Sequence, residues 1–204
     1  MHKYIFVAGA PGSGWSRVAL SIHRSPSVDY TDWAKEQTWT FINDRNLEEK
    51  SYHSGVYFGP DQKYGKKFDR LNELTKEEIE QEMNRPFKGT GSKIIKCHDF
   101  AYQLDFISKN WPECPIIVCH RSTELCYSWW MYVGGADISF PSYKMLKTID
   151  PKVYMNKCNE GIEAFLKVNK TVSAESSIEM CEILELDYPK DVIYYDHTNV
   201  RVKV

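Results

Sequence analysis

Residues 6–17 read FVAGAPGSGWSR, an apolar run that enters a glycine turn and leaves it as a helix. Gly9 and Gly14 stand at the spacing of a Walker A loop, and Ser16 holds its hydroxyl position. Such a loop cradles phosphate on backbone N–H groups at a helix N-terminus. Trp15, however, stands where the motif carries lysine. That lysine grips the β/γ-phosphates during transfer from ATP, whereas backbone donors need none. Pro11, Gly12, Ser13, Gly14, Trp15, Ser16 and Arg17 are therefore candidates for holding an anion, with tight helix–strand packing as the alternative reason for the glycines.

Two further stretches could add chemistry. In SKIIKCHDF, Lys96 and His98 are two apart at the end of an apolar run, so on a strand they share a face. A cation beside an imidazole suits proton abstraction next to developing negative charge. In PIIVCHRSTELCYSWW, a run ending in His120 and Arg121 leads into a helical pattern carrying Ser128, and an arginine with a hydroxyl at that place can hold a second phosphate. His98 and Asp99 are adjacent, so on a strand their side chains diverge, and no metal is expected there.

These groups need elements to place them. The runs 3–9, 92–98 and 114–120 lack alternation and read as strands buried on both faces, with 191–195 as a fourth and 27–31 as a weaker fifth. Helical patterns lie between and after them at 15–24, 75–84, 99–110, 122–133, 151–168 and 174–186, the second opened by a Thr75 and Glu78 capping box. Strand alternating with helix implies an α/β fold, expected as a three-layer α/β/α sandwich with a central parallel sheet in one domain spanning 1–204. In such sheets ligands gather at the carboxyl ends of the strands, where all three motifs fall. Residues 44–72 show no period and read as a loop-rich excursion. Trp33, Trp39, Tyr52, Tyr57 and Phe58 are read either as core or as rings that line a ligand pocket.

Composition bounds the partners. The 26 basic and 28 acidic residues leave a formal charge of −2, so no global field favours nucleic acid or a membrane surface, and an anion site must be local. The apolar run near the N-terminus is too short for a signal peptide, and no window reaches membrane-spanning length. Six cysteines without a CxxC pair fall mostly inside apolar runs, and the expectation is a reduced, cytoplasmic protein.

The order and form of the three motifs resemble the sulfotransferases that use 3′-phosphoadenosine 5′-phosphosulfate (PAPS). Their 5′-phosphosulfate loop, their IIK-T-H strand end and their R-N-P-x-E-R-A-Y-S-W-Y segment are similar to 9–16, 94–98 and 120–130 here. The resemblance implies a P-loop nucleotide-binding, sulfotransferase-like architecture, with PAPS as cosubstrate and 3′-phosphoadenosine 5′-phosphate (PAP) as product. It implies His98 as base, Lys96 at the bridging oxygen, the 11–17 loop at the 5′ end, and Arg121 or His120 with Ser128 at the 3′-phosphate. The acceptor would be a hydroxyl or amine of a small molecule or carbohydrate, with no metal. Three departures stand beside it: Gly12 where the family has Lys or Arg, Arg121 one step late, and no counterpart of the C-terminal R-K-G-x-x-G-x-W-K segment. A P-loop small-molecule kinase and a non-catalytic nucleotide-binding protein remain the alternative readings.

Overall fold

The computed structural model describes residues 2–31, 68–138, 146–195 and 199–204, together with the backbone of the strands at 38–42, 48–52 and 56–57. The chain opens with β1 (Tyr4–Gly9) and α1 (Trp15–His23). A hairpin of β2 (Thr38–Ile42) and β3 (Glu48–Tyr52) and the short β4 (Val56–Tyr57) follow. Then come α2 (Lys76–Asn84), β5 (Lys93–Lys96), α3 (Leu104–Asn110), β6 (Ile116–His120) and α4 (Thr123–Tyr132). The long α5 (Pro151–Val168), β7 (Val172–Ser173), α6 (Ser177–Ile183) and β8 (Asn199–Lys203) complete the fold.

The main sheet has the order β4-β5-β1-β6-β8-β7. Strands β4, β5, β1 and β6 run parallel, whereas β8 is antiparallel to both of its neighbours, β6 and β7, so the sheet is mixed rather than wholly parallel. All six residues of β1 are buried, as a strand covered on both faces requires. On one face Phe6 packs at 6.0 Å from Phe100 and 5.4 Å from Trp111, and Tyr4 takes a hydrogen bond from Asn84 of α2. The chain moves from β1 toward β5 and later crosses back over β1 to β6. Right-handed crossovers then place α1 and α3 on opposite faces.

Local chemistry sets the helix bounds. The capping box forms as written, with Thr75 Oγ1 accepting from Glu78 N–H and Glu78 returning the bond to Thr75 N–H at 2.8 Å. Asp150 caps α5 with Pro151 in its first turn. No described helix is long and apolar enough to cross a membrane.

Three expectations need correction. Residues 191–195 form no strand: Tyr194 makes only a bridge to Ser176, and Ile193 N–H donates to Ser177 Oγ, so this segment is spent on the start of α6. The sheet position is taken by β8, where Val200 and Val202 alternate inward. Residues 27–31 likewise make one bridge, Val28 to Ser92, because Asp29 turns the chain by accepting from Thr31 N–H. The pattern at 99–110 splits at Gln103 into a 3-10 turn (His98–Tyr102) and α3, since the Gln103 amide is drawn to Phe68 O at 2.7 Å and Asp99 O at 3.0 Å. Within the 44–72 stretch the described structure is the backbone of β3 and β4 and the start of the 3-10 segment Phe68–Glu73. The side chains of Trp33, Trp39, Tyr52, Tyr57 and Phe58 lie outside the described residues.

Candidate anion site at the glycine loop

The connections out of β1 and β6 diverge, toward β5 and toward β8 respectively, so the crevice beyond their carboxyl ends is a topological switch point. The glycine loop leaves β1 there and Arg121 follows β6 there. In the loop, Gly12 and Gly14 both take left-handed conformations, with φ of 79° and 87°, and Ser13 N–H closes a turn onto Ala10 O at 3.0 Å. Gly14 is the N-cap of α1, whose leading amides face the loop, as a helix N-terminus requires.

Gly12 has a reason beyond its φ. A Cβ built there would meet Cys126 O of α4 at 2.0 Å. No side chain fits, so a basic residue at this place is sterically excluded. A cation reaches the loop from elsewhere: Arg121 Nη1 donates to Gly12 O at 3.1 Å, with its guanidinium 5.9 Å from the exposed ring of Trp129. Arg121 lies just past the end of β6, where the strand's alternation no longer dictates direction. His120, still in the strand, points the other way and donates from Nε2 to Glu163 Oε1 of α5 at 3.1 Å. Between these two, Arg121 is the residue at the loop.

Lys96 arrives from the opposite flank. It is wholly buried at the end of β5, and its Nζ donates to Ser16 Oγ at 3.4 Å and stands 5.0 Å from the centre of the Trp15 ring. His98 opens the 3-10 turn after an extended Cys97, yet its ring returns to the same place, 3.9 Å from the Trp15 ring and hydrogen-bonded through Nδ1 to Gly9 O at 2.6 Å. A carbonyl only accepts, so Nδ1 carries the proton and Nε2 the lone pair. Burial pulls the imidazole down to about 3, with the Lys96 charge adding to the effect and the Gly9 bond opposing it. His98 is therefore neutral at physiological pH. An anion bound beside it would raise its basicity.

The other candidates are less central. Ser13 and Pro11 are buried in the loop, Ser16 is half-buried under Lys96, and Arg17 and Ser128 are exposed on α1 and α4. Arg17 is tied to the loop through its backbone N–H, which donates to Gly14 O at 2.9 Å, no described side-chain hydrogen bond joins Arg17 or Ser128 to the loop, and no described cluster of His, Cys, Asp or Glu could hold a metal.

Sequence reasoning missed the support behind His98. Asp99 is buried and accepts from Tyr102 and from Tyr154 of α5, both at 2.6 Å, and burial raises its carboxyl above the usual range despite those bonds. Gly161 lets α5 come this close, since a Cβ there would lie 2.3 Å from Ala101 O. The only trace in the sequence is Tyr three residues after Asp, which is too common to read. Comparison with protein-family models, characterised proteins and solved structures found no match to this chain.

Proposed function

We propose that the chain binds a 3′-phosphorylated adenosine nucleotide at the glycine loop and transfers a sulfuryl group from PAPS to a hydroxyl or amine. One observation carries this reading. Two buried or half-buried cations, Lys96 and Arg121, reach the loop from the strands on either side of β1, through Ser16 at 3.4 Å and Gly12 O at 3.1 Å. In a chain of net charge −2, that is a built anion site, and its two flanks suit a ligand with two anionic ends.

The residues fit the chemistry as follows. The loop amides and the Ser13 and Ser16 hydroxyls hold the 5′ end, and Arg121 serves the second phosphate. Sulfuryl transfer forms an acceptor oxygen–sulfur (or nitrogen–sulfur) bond and breaks the sulfur–oxygen bond to the leaving phosphate. His98 takes the acceptor proton at Nε2, and Lys96 offsets charge gathering on the oxygen that departs. Absence of lysine at position 15 weighs against ATP as donor. The depth of His98, 1 % exposed, favours a second reading in which the nucleotide is bound without turnover.

Calorimetric titration with PAP, set against ATP with magnesium, tests the reading. PAP is expected to bind and ATP to bind far more weakly. Arg121→Ala should weaken PAP by about 10- to 100-fold, the range for a lost charged hydrogen bond, while His120→Ala changes little. Binding of ATP but not PAP refutes the proposal. With PAPS and an acceptor screen, His98→Ala should abolish turnover and spare PAP binding; a wild-type protein that binds PAP and never turns over leaves the binding reading.

A further inference from the structure

The turn from β6 into α4, which delivers Arg121, is held by one face of α5. Asn156, Asn159 and Glu163 stand at i, i+3 and i+7, so they line up along that helix. They meet the turn in order. Glu163 Oε1 accepts from His120 Nε2 at 3.1 Å, Asn159 Nδ2 donates to Arg121 O at 2.8 Å and to Thr123 Oγ1 at 3.2 Å, and Asn156 Oδ1 accepts from Thr123 Oγ1 at 3.4 Å. Asn156 and Glu163 are exposed, whereas Asn159 is buried. A carbonyl only accepts, so the end of the Asn159 amide that faces Arg121 is its NH2 group. Among the described residues Oδ1 of the same amide accepts no hydrogen bond, and an unused acceptor in a buried place costs stability. An apolar side chain would avoid that cost, so what the amide contributes here is its donor.

We propose that Asn159 is a positioning residue of the anion site: by holding the Arg121 carbonyl against α5, it directs the Arg121 guanidinium onto the glycine loop. Arg121 stands one residue beyond β6, where sheet hydrogen bonds no longer fix the backbone. Pinning its carbonyl fixes the plane of the 121–122 peptide, and with it the direction in which the side chain leaves the chain. The carbonyl goes to α5 and the guanidinium goes to Gly12 O at 3.1 Å. The Cys126 thiol adds a weaker bond to the same carbonyl at 3.4 Å, and the Ser122 hydroxyl caps α4 directly afterwards. The effect on nucleotide affinity rests on the reading that Arg121 serves the second phosphate; the hold on the guanidinium does not.

A double-mutant cycle tests the proposal. Asn159→Leu replaces the amide with an apolar side chain of similar shape. It should weaken PAP by about 10-fold, the order of one hydrogen bond, and should add nothing once Arg121 is alanine. Adenosine 5′-monophosphate, which lacks the second phosphate, should bind the wild type and Asn159→Leu alike. The guanidinium is also read without ligand, from the proton–nitrogen NOE at Arg121 Nε assigned with Arg121→Ala. That NOE should be high in the wild type, above the value for exposed Arg17, and should fall to the Arg17 level in Asn159→Leu. A packing role alone moves stability, so additive losses in the cycle with an unchanged NOE overturn the proposal. If Asn159→Leu does not fold, Asn159→Asp, which keeps the shape and removes the donor, is read in the same way. A wild type whose Arg121 is as mobile as Arg17 overturns the proposal with no variant at all. A protein that shows the expected NOE pattern and never binds PAP defeats the nucleotide reading and leaves the positioning role standing.

Discussion

Replacing Gly12 by alanine perturbs the one point where the glycine loop, α4 and Arg121 meet. Two separate costs arise. At φ of 79° an L-residue sits in the left-handed region, which costs roughly 1–2 kcal/mol. The new methyl would also lie 2.0 Å from Cys126 O, well inside contact distance, and its neighbour is helix backbone rather than a side chain that can swing away. Relief requires the loop to lift or α4 to shift, an overpacking cost of about 1–3 kcal/mol. The sum, roughly 2–5 kcal/mol, is a large share of the 5–15 kcal/mol typical of a domain. Urea unfolding followed by circular dichroism should show a lowered midpoint at unchanged slope. Because the Arg121 bond ends on Gly12 O, ligand binding at the loop should weaken more than stability alone explains. A loss below about 1 kcal/mol, smaller than the backbone strain by itself, would show that the loop does not rest on α4 as described.

The same logic gives a sharper sign at Gly161, where alanine gains about 1 kcal/mol of helix propensity but meets Ala101 O at 2.3 Å; Gly161→Ala should be net destabilising in urea despite the better helix former. For pH, burial holds His98 and His23 at about 3 and about 4, against 6.5 for the free imidazole. Between those values the unfolded chain binds more protons, so their contribution is full above 6.5 and is lost as pH falls through the folded values. Asp99 runs oppositely: its raised carboxyl contributes below the ordinary carboxylate range and loses that contribution as pH rises through its folded value. Unfolding midpoints across pH should therefore fall more steeply on acidification in Asp99→Asn and less steeply in His98→Asn, and parallel curves for all three proteins would contradict both assignments.

What the sequence made legible was local. Asp150-Pro151 and the Thr75 capping box act within one turn, and α5 and α2 begin where those residues say. The apolar runs of β1, β5 and β6 carry no alternation because both faces are covered, and the three strands lie side by side. What escaped was set across distance. Gln103 breaks a helical pattern by bonding Phe68 O, 35 residues away, and Tyr154 supports Asp99 from 55 residues on. The apolar run 191–195 is spent on capping contacts to α6, whereas NVRVK, shorter in apolar content, takes the sheet edge through Val200 and Val202. Lys96 and His98 converge, though not by strand periodicity: β5 ends at Lys96, and His98 comes back through a 3-10 turn.

The departures at the loop form one arrangement when taken together. A lysine at 15 would place a second ammonium against the neutral ring of His98, next to Lys96, and like charges in a buried place are costly. A basic side chain at 12 would collide with Cys126 O. Positive charge at this site is therefore carried on the flanking strands, by Lys96 on the β5 side and by Arg121 on the β6 side, with Trp15 filling the space the loop lysine vacates. Charge held that way is fixed by sheet register, since Val7 pairs with Lys96 and Gly9 with Cys119, two residues before Arg121. The distance between the two cations then follows from the strand spacing across β1 rather than from loop conformation, which suits a ligand whose two anionic ends are themselves a fixed distance apart.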